Sequence, residues 1–313
     1  MSDSDLRPTA AEKQIDTEMQ ALLDRYLQGR KPVSIDDYDW DQIRPGAVDR
    51  DSLEALGFVT FVESNPEAPA QMLTAAADRG SAPWLRRFIQ QTWLPEERMH
   101  HAPYREYLIR LGTYSVTEID SLIDDVRDRG FIYGKGYTPL QAATYGWLQE
   151  LITWRFYEAM ASYLLTSSEN GGQTDPVLIK MLRDIAKQEN FHRFIYLSGA
   201  RTVLKHSPHK KGEVIKTVGE FLMPGHHMVP DMQHRAPEWA FKFNFPFRKL
   251  LRDISAGLVE LTGYKGLGQT AILYGVRHEI PLYMKAAVMF LNLLSKPYHS
   301  PVNYATGRVL AAL

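Results

Sequence analysis

The spacing Glu-x-x-His occurs twice, as Glu97-Arg98-Met99-His100 and as Glu189-Asn190-Phe191-His192. Residues three apart share one face of a helix, so each copy aims a carboxylate and an imidazole at one point. Two such pairs on facing helices, each joined by one carboxylate from a further helix, make a carboxylate-bridged pair of metal positions. A lone Glu precedes each copy: Glu63 stands 34 residues before Glu97, and Glu150 stands 39 residues before Glu189. The chain thus repeats one unit, as a pseudo-twofold site between four helices requires. A single Glu-x-x-His reads more simply as an exposed polar helix face; duplication favours the metal reading.

The neighbours agree. Glu150 sits among Trp147, Leu148, Leu151, Ile152 and Trp154, and Glu63 follows Phe58, Val59, Phe61 and Val62. A carboxylate in such surroundings is costly unless a cation or hydrogen-bond partner meets it. Glu67 competes with Glu63, with a solvated helix end as its plainer reading. Glu158 competes with Glu150, but eight residues turn it about 80° away on a helix. His101 points off the metal face, and His226, His227 and His234 lie in irregular chain, so these read as surface histidines. Glu96 and Gln188 each precede a ligand Glu and are placed to orient the opposite imidazole through its second nitrogen.

Cysteine is absent, which removes disulfides, thiolate metal sites and Cys nucleophiles. Any metal must be held by oxygen and imidazole, which favours iron, manganese or zinc. A net charge of −1 argues against a nucleic-acid partner. Residues 1–12 hold no apolar run, and the longest apolar stretch, 286–294, is too short for a bilayer; no secretory signal or transmembrane segment is expected, and a cytoplasmic protein is.

Helix signals position these residues. Ser115 to Glu118 is a capping box, and Thr138-Pro139-Leu140-Gln141 opens a long segment to about residue 165. Asp175-Pro176 starts another, running from 177 to about 197. Helical pattern also covers 51–77 and 83–111, where Pro66, Pro69, Pro95 and Pro103 predict kinks or breaks. Residues 207–240, with four prolines and little periodicity, read as a wandering connection, and helices resume over 239–261 and 270–295. With no strand hairpins, the pattern predicts an all-α fold, a ferritin-like di-iron four-helix bundle core with flanking helices. The expected divisions are an N-terminal arm and helix (1–50), the bundle (51–206), and C-terminal helices packed upon it (207–313).

Several stretches resemble the soluble acyl-carrier-protein fatty acid desaturases, of plant stearoyl type and actinobacterial relatives. Trp93-Leu94-Pro95-Glu96-Glu97-Arg98-Met99-His100 is similar to that family's Trp-x-x-Glu-Glu-x-x-His motif. Gln149-Glu150-Leu151-Ile152-Thr153 is similar to its Gln-Glu-x-x-Thr segment, and 185–192 to its second metal motif. Val62-Glu63, with Met72-Leu73 beginning nine residues after the Glu, resembles the first ligand segment. The likeness covers roughly 51–206. It implies two iron ions held by Glu63, Glu97, His100, Glu150, Glu189 and His192, reduced by ferredoxin. It also implies O2-dependent insertion of a double bond into an acyl chain on acyl carrier protein, and a homodimer.

Under the same resemblance Thr153 is assigned to proton delivery or oxygen positioning, against the plainer reading of a helical Thr bonded to its own backbone. Trp93 is a candidate for the electron route, with core packing as the alternative, and Met72 and Tyr145 are candidates for the substrate channel. The second motif departs from the family, which usually has Asp where this chain has Gln188 and often Arg where it has Phe191 and Met99. A neutral Gln makes its partner His a poorer donor to iron. The basic run Lys205, His206, His209, Lys210 and Lys211 is either a solvated loop or a surface for an acidic carrier protein. Competing readings are another di-metal hydroxylase or N-oxygenase, a reductase subunit with Tyr104 near its metals, or a non-catalytic iron-binding protein.

Overall fold

The computed structural model describes residues 8–129, 134–167, 172–225, 229–230 and 232–264. The all-α expectation holds among these residues. The described residues form eleven α-helices: α1 Ala10–Leu27, α2 Arg50–Glu63, α3 Glu67–Arg79, α4 Pro83–Phe88, α5 Leu94–Arg110, α6 Val116–Arg129, α7 Pro139–Thr166, α8 Pro176–His206, α9 Lys211–Gly219, α10 Met232–Lys242 and α11 Phe247–Thr262. The core is a bundle of α2, α5, α7 and α8, in which α7 lies along α8 and α2 along α5. No described helix is long and apolar enough to cross a membrane.

The long helices start where their caps dictate. The Thr138 hydroxyl accepts from the Gln141 amide while the Gln141 side chain accepts from the Thr138 amide, and Pro139 occupies the first turn, where no donor is needed. Asp175 caps α8 through the amides of Val177 and Leu178. Its other oxygen accepts from the Tyr107 hydroxyl and the Arg44 amide, so this buried carboxylate also ties α5 to α8.

Prolines act differently from one another. Pro66 ends the first expected helix, separating α2 from α3, whereas Pro69 falls in the first turn of α3 and is tolerated there. Between α4 and α5 the chain does not break. A π-turn over Ile89–Trp93 carries the helix across, with the Leu94 amide donating to the Ile89 carbonyl ahead of Pro95. Pro103 stays inside α5 and forgoes one backbone bond.

The region 207–240 is more ordered than its pattern predicts. It contains α9 and most of α10, with Pro237 inside α10. The helix expected over 239–261 is divided at residues 243–246, between α10 and α11. The helix expected over 270–295 lies outside the described residues.

α8 runs on to His206, past the expected end near 197, and its Gly199 faces Trp84. A Cβ at Gly199 would lie 2.3 Å from the Trp84 ring, which is itself fully buried. Gly199→Ala is therefore expected to lower stability by about 1–3 kcal/mol through overpacking. Thermal melting of the variant beside the parent checks this, and an unchanged midpoint would contradict it.

Candidate metal centre

Glu63 is the last residue of α2; Glu97 and His100 come from α5, Glu150 from α7, and Glu189 and His192 from α8. Five of the six are buried, and the Glu63 side chain is 10% exposed. They form two overlapping sets, Glu63, Glu97, His100 and Glu189, and Glu97, Glu150, Glu189 and His192. Within each set the candidate ligand atoms lie within 4.8 Å of one another. Glu97 and Glu189 belong to both, as bridging carboxylates do.

The imidazoles face inward through Nδ1. His100 Nδ1 is 3.4 Å from Glu97, 3.3 Å from Glu189 and 3.8 Å from Glu63; His192 Nδ1 is 2.9 Å from Glu97 and 3.8 Å from Glu189. Neither Nδ1 has a hydrogen-bond partner, and neither does Glu97 Oε1 or Glu189 Oε2. Buried polar atoms are seldom left so, and four converging on one point fit a cation. Four carboxylates and two imidazoles also balance the charge of two divalent ions and match the preference of iron for oxygen and nitrogen donors.

The outer nitrogens are held reciprocally. His192 Nε2 donates to Glu96 at 2.9 Å, and His100 Nε2 donates to Gln188 Oε1 at 3.0 Å. Each partner precedes a candidate ligand on the opposite helix. The Gln188 amide donates to the Lys31 carbonyl at 3.0 Å, which turns its oxygen toward His100 and leaves the Nδ1 lone pair for a metal. Glu96 also accepts two bonds from the Arg30 guanidinium, which lies 3.6 Å above the Phe191 ring.

The metal-free electrostatics are those of crowded anions. Burial, with the charges of Glu189 and Glu97, pushes Glu63 up to about 7, and burial beside Glu189 raises Glu150 well above the usual carboxylate range. Burial opposes ionisation of Glu189 too, but the neighbouring Glu150 carboxyl and the His100 and His192 imidazoles outweigh it and hold that carboxyl below the usual range. Burial likewise disfavours charge on His192, yet Glu189, Glu96 and Glu97 lift it to about 10. Protons occupy the site where cations would otherwise neutralise it.

Residues 66–242 match the fatty acid desaturase family model, which is more than half of the 313-residue chain. The chain belongs to the fatty acid desaturase family. It is 22% identical over 241 residues to DesA1 of Mycobacterium tuberculosis, provisionally named an acyl-acyl-carrier-protein desaturase, in strains CDC 1551 and H37Rv. The alignment covers 70% of this chain and 67% of that relative. Five of the six candidate ligands fall inside the family match; Glu63 lies just before it.

The remaining candidates in this desaturase take other places. Trp93 is buried, and its indole N–H donates to Glu150 at 2.8 Å. Thr153 donates to the Gln149 carbonyl at 3.1 Å, the bond that a helical Thr makes to its own backbone. Met72 is buried beside Gly134, and the Tyr145 ring packs with Tyr137 and Phe221 while its hydroxyl donates to the Leu222 carbonyl. Glu67 pairs with Arg98 and Glu158 with Arg155. His101, on α5, is pushed down to about 4 by burial, with Arg127 and Arg105 adding to the effect. His234 is exposed on α10; His226 and His227 lie outside the described residues. In the basic run, Lys205 and His206 are both bonded to Glu18.

Tyr157 was not among the sequence candidates, yet its hydroxyl donates to Glu63. The signal was present: seven residues, two helical turns, separate it from Glu150 on α7. Arg30 had no such signal, since 66 residues separate it from Glu96.

Proposed function

We propose that this chain is an O2-dependent desaturase that inserts a double bond into a saturated acyl chain carried as a thioester on acyl carrier protein. Two iron ions would be held by Glu63, Glu97, His100, Glu150, Glu189 and His192, with ferredoxin as the electron donor. The observation that carries the reading is the pair of four-residue sets sharing Glu97 and Glu189, with two unpartnered Nδ1 atoms turned into them. The family match and the printed name of DesA1 support the acyl-carrier substrate class. When bound, the iron pair supplies the oxidising power, with O2, to remove hydrogen from an unactivated methylene.

The chain's own residues bind, orient and shield. Glu96 and Gln188 each accept the outer N–H of an imidazole and so fix its ring direction. Phe88 lies edge-on to both His192 and Tyr196, and Tyr104 lies against Tyr157. These rings keep bulk water from two sides of the carboxylates and strengthen the interactions inside. Activity as a cytoplasmic homodimer belongs to the same proposal and rests on the family resemblance.

The test is incubation of the iron-loaded protein with saturated acyl-carrier-protein thioesters, ferredoxin, its reductase and O2. Mass spectrometry is expected to find products two mass units lighter, with the double bond located by fragmentation. Products carrying an added oxygen atom instead, or unchanged chains in a protein that holds two irons, would sink the desaturase assignment.

A further inference from the structure

Glu96 and Gln188 do the same task with different chemistry, and neighbouring residues of one short strap, just after α1, hold both. The Arg30 side chain gives Glu96 two bonds, at 3.0 and 2.7 Å, and its guanidinium rests on the Phe191 ring. The next residue, Lys31, presents its backbone carbonyl to the Gln188 amide at 3.0 Å. Arg30 thus matches a carboxylate at position 96. The Lys31 carbonyl instead needs a donor at position 188, and a carboxylate there would set two acceptors against each other. Glutamine accepts from His100 at one atom and donates to Lys31 at the other, so the neutrality of this support is built into the fold.

We infer that this strap makes the two metal positions unequal: the one beside His192 binds a divalent cation more tightly and fills before the one beside His100. The inference rests on the metal-centre reading above. His192 gives its outer N–H to a carboxylate, whereas His100 gives its own to an amide oxygen. A hydrogen bond to a charged acceptor is about twice as strong as one to a neutral acceptor. A stronger acceptor on the outer nitrogen makes the inner nitrogen the better electron-pair donor to a metal. The ligand types otherwise balance, since each position has one imidazole, one carboxylate of its own, and the shared Glu97 and Glu189. Net charge does not separate the positions either, because Arg30 offsets Glu96 and Gln188 is neutral. The acceptor behind each ring is what differs. Arg30 and Glu96 are therefore positioning residues for one half of the site, and Gln188 for the other.

Partial loading reads the difference. Crystals of the full chain are loaded with one equivalent of Co(II) and measured at the cobalt absorption edge, where anomalous peaks report the occupancy of each position. A roughly tenfold difference in affinity puts about three times as much metal in the tighter position, so the larger peak is expected beside His192. Glu96→Gln combined with Arg30→Met removes the charged acceptor and its partner together and leaves the net charge unchanged. That double substitution is expected to level the two peaks. Gln188→Met removes the other acceptor and should widen the difference. Equal peaks in the parent, or a larger one beside His100, overturn the inference while the metal centre stands. A preference that survives the double substitution overturns it as well. No peak at either position in excess Co(II) removes the metal-centre reading itself, and the inference with it. Should the double variant fail to fold, the parent and Gln188→Met decide.

Discussion

Glu97→Ala and Glu189→Ala are each expected to empty both metal positions and abolish desaturation, whereas Glu63→Ala and Glu150→Ala should each empty only one. The difference follows from membership. Glu97 and Glu189 are in both four-residue sets, while Glu63 and Glu150 are in one each. Losing a shared carboxylate leaves each ion with three protein ligands and removes part of the negative charge that lets two dications sit side by side. At the short separations of a buried site that repulsion is large, because little solvent intervenes to screen it. Elemental analysis of proteins loaded with iron under reducing conditions reads the stoichiometry, and circular dichroism reads whether the helices remain. A folded Glu189→Ala protein still holding two irons would show that the bridging assignment is wrong.

The metal-free protein is expected to lose stability as pH rises from about 5 to 10, and metal loading should flatten that dependence. Glu63 moves from its ordinary value of 4.5 up to about 7 on folding, chiefly through burial. Between those values the folded chain holds a proton that the unfolded chain has released, so stability falls with rising pH. A rise of that size corresponds to a loss on the order of 3 kcal/mol across the window. His192 has the same sign, since its contribution is complete below 6.5 and disappears as pH climbs through about 10. Glu189, held low, adds stability that is lost only in acid. Metal ions replace these protons, so uptake should release protons near neutral pH. Melting curves from pH 5 to 9, with chelator and with iron, check the trend. Glu63→Gln should remove the lower part of the slope in the chelated protein. A metal-free midpoint that climbs between pH 6 and 9 would contradict this account.

Legibility of the site followed the range of the interactions. The pairs Glu97 with His100 and Glu189 with His192 are set by helix geometry over one turn, so the sequence displays them directly. Glu63 and Glu150 needed the repeat as a whole, and their apolar neighbours marked them as unusual carboxylates. Tyr157 was legible in principle through its spacing from Glu150. Thr153 was legible through the family's motif, and its hydroxyl bonds the carbonyl that any helical Thr has within reach. The prolines divided similarly. Pro66 ended a helix as its chemistry demands, while the break expected near Pro95 was absorbed by a π-turn that no local pattern announces.

By itself, then, the sequence determined the helical class, the starts of the long helices, and a duplicated set of metal-ligating residue types, because caps and three-residue spacings act within one or two turns. Only the tertiary structure decided how that set is held. Arg30 meets Glu96 and Lys31 meets Gln188 across 66 and 157 residues, and Trp93 and Tyr157 reach carboxylates 57 and 94 residues away. Such contacts depend on where whole helices pack, and each is a hydrogen bond that a buried polar group must find somewhere once water is gone. Packing chose the partners, and with them which oxygen and which nitrogen face the centre.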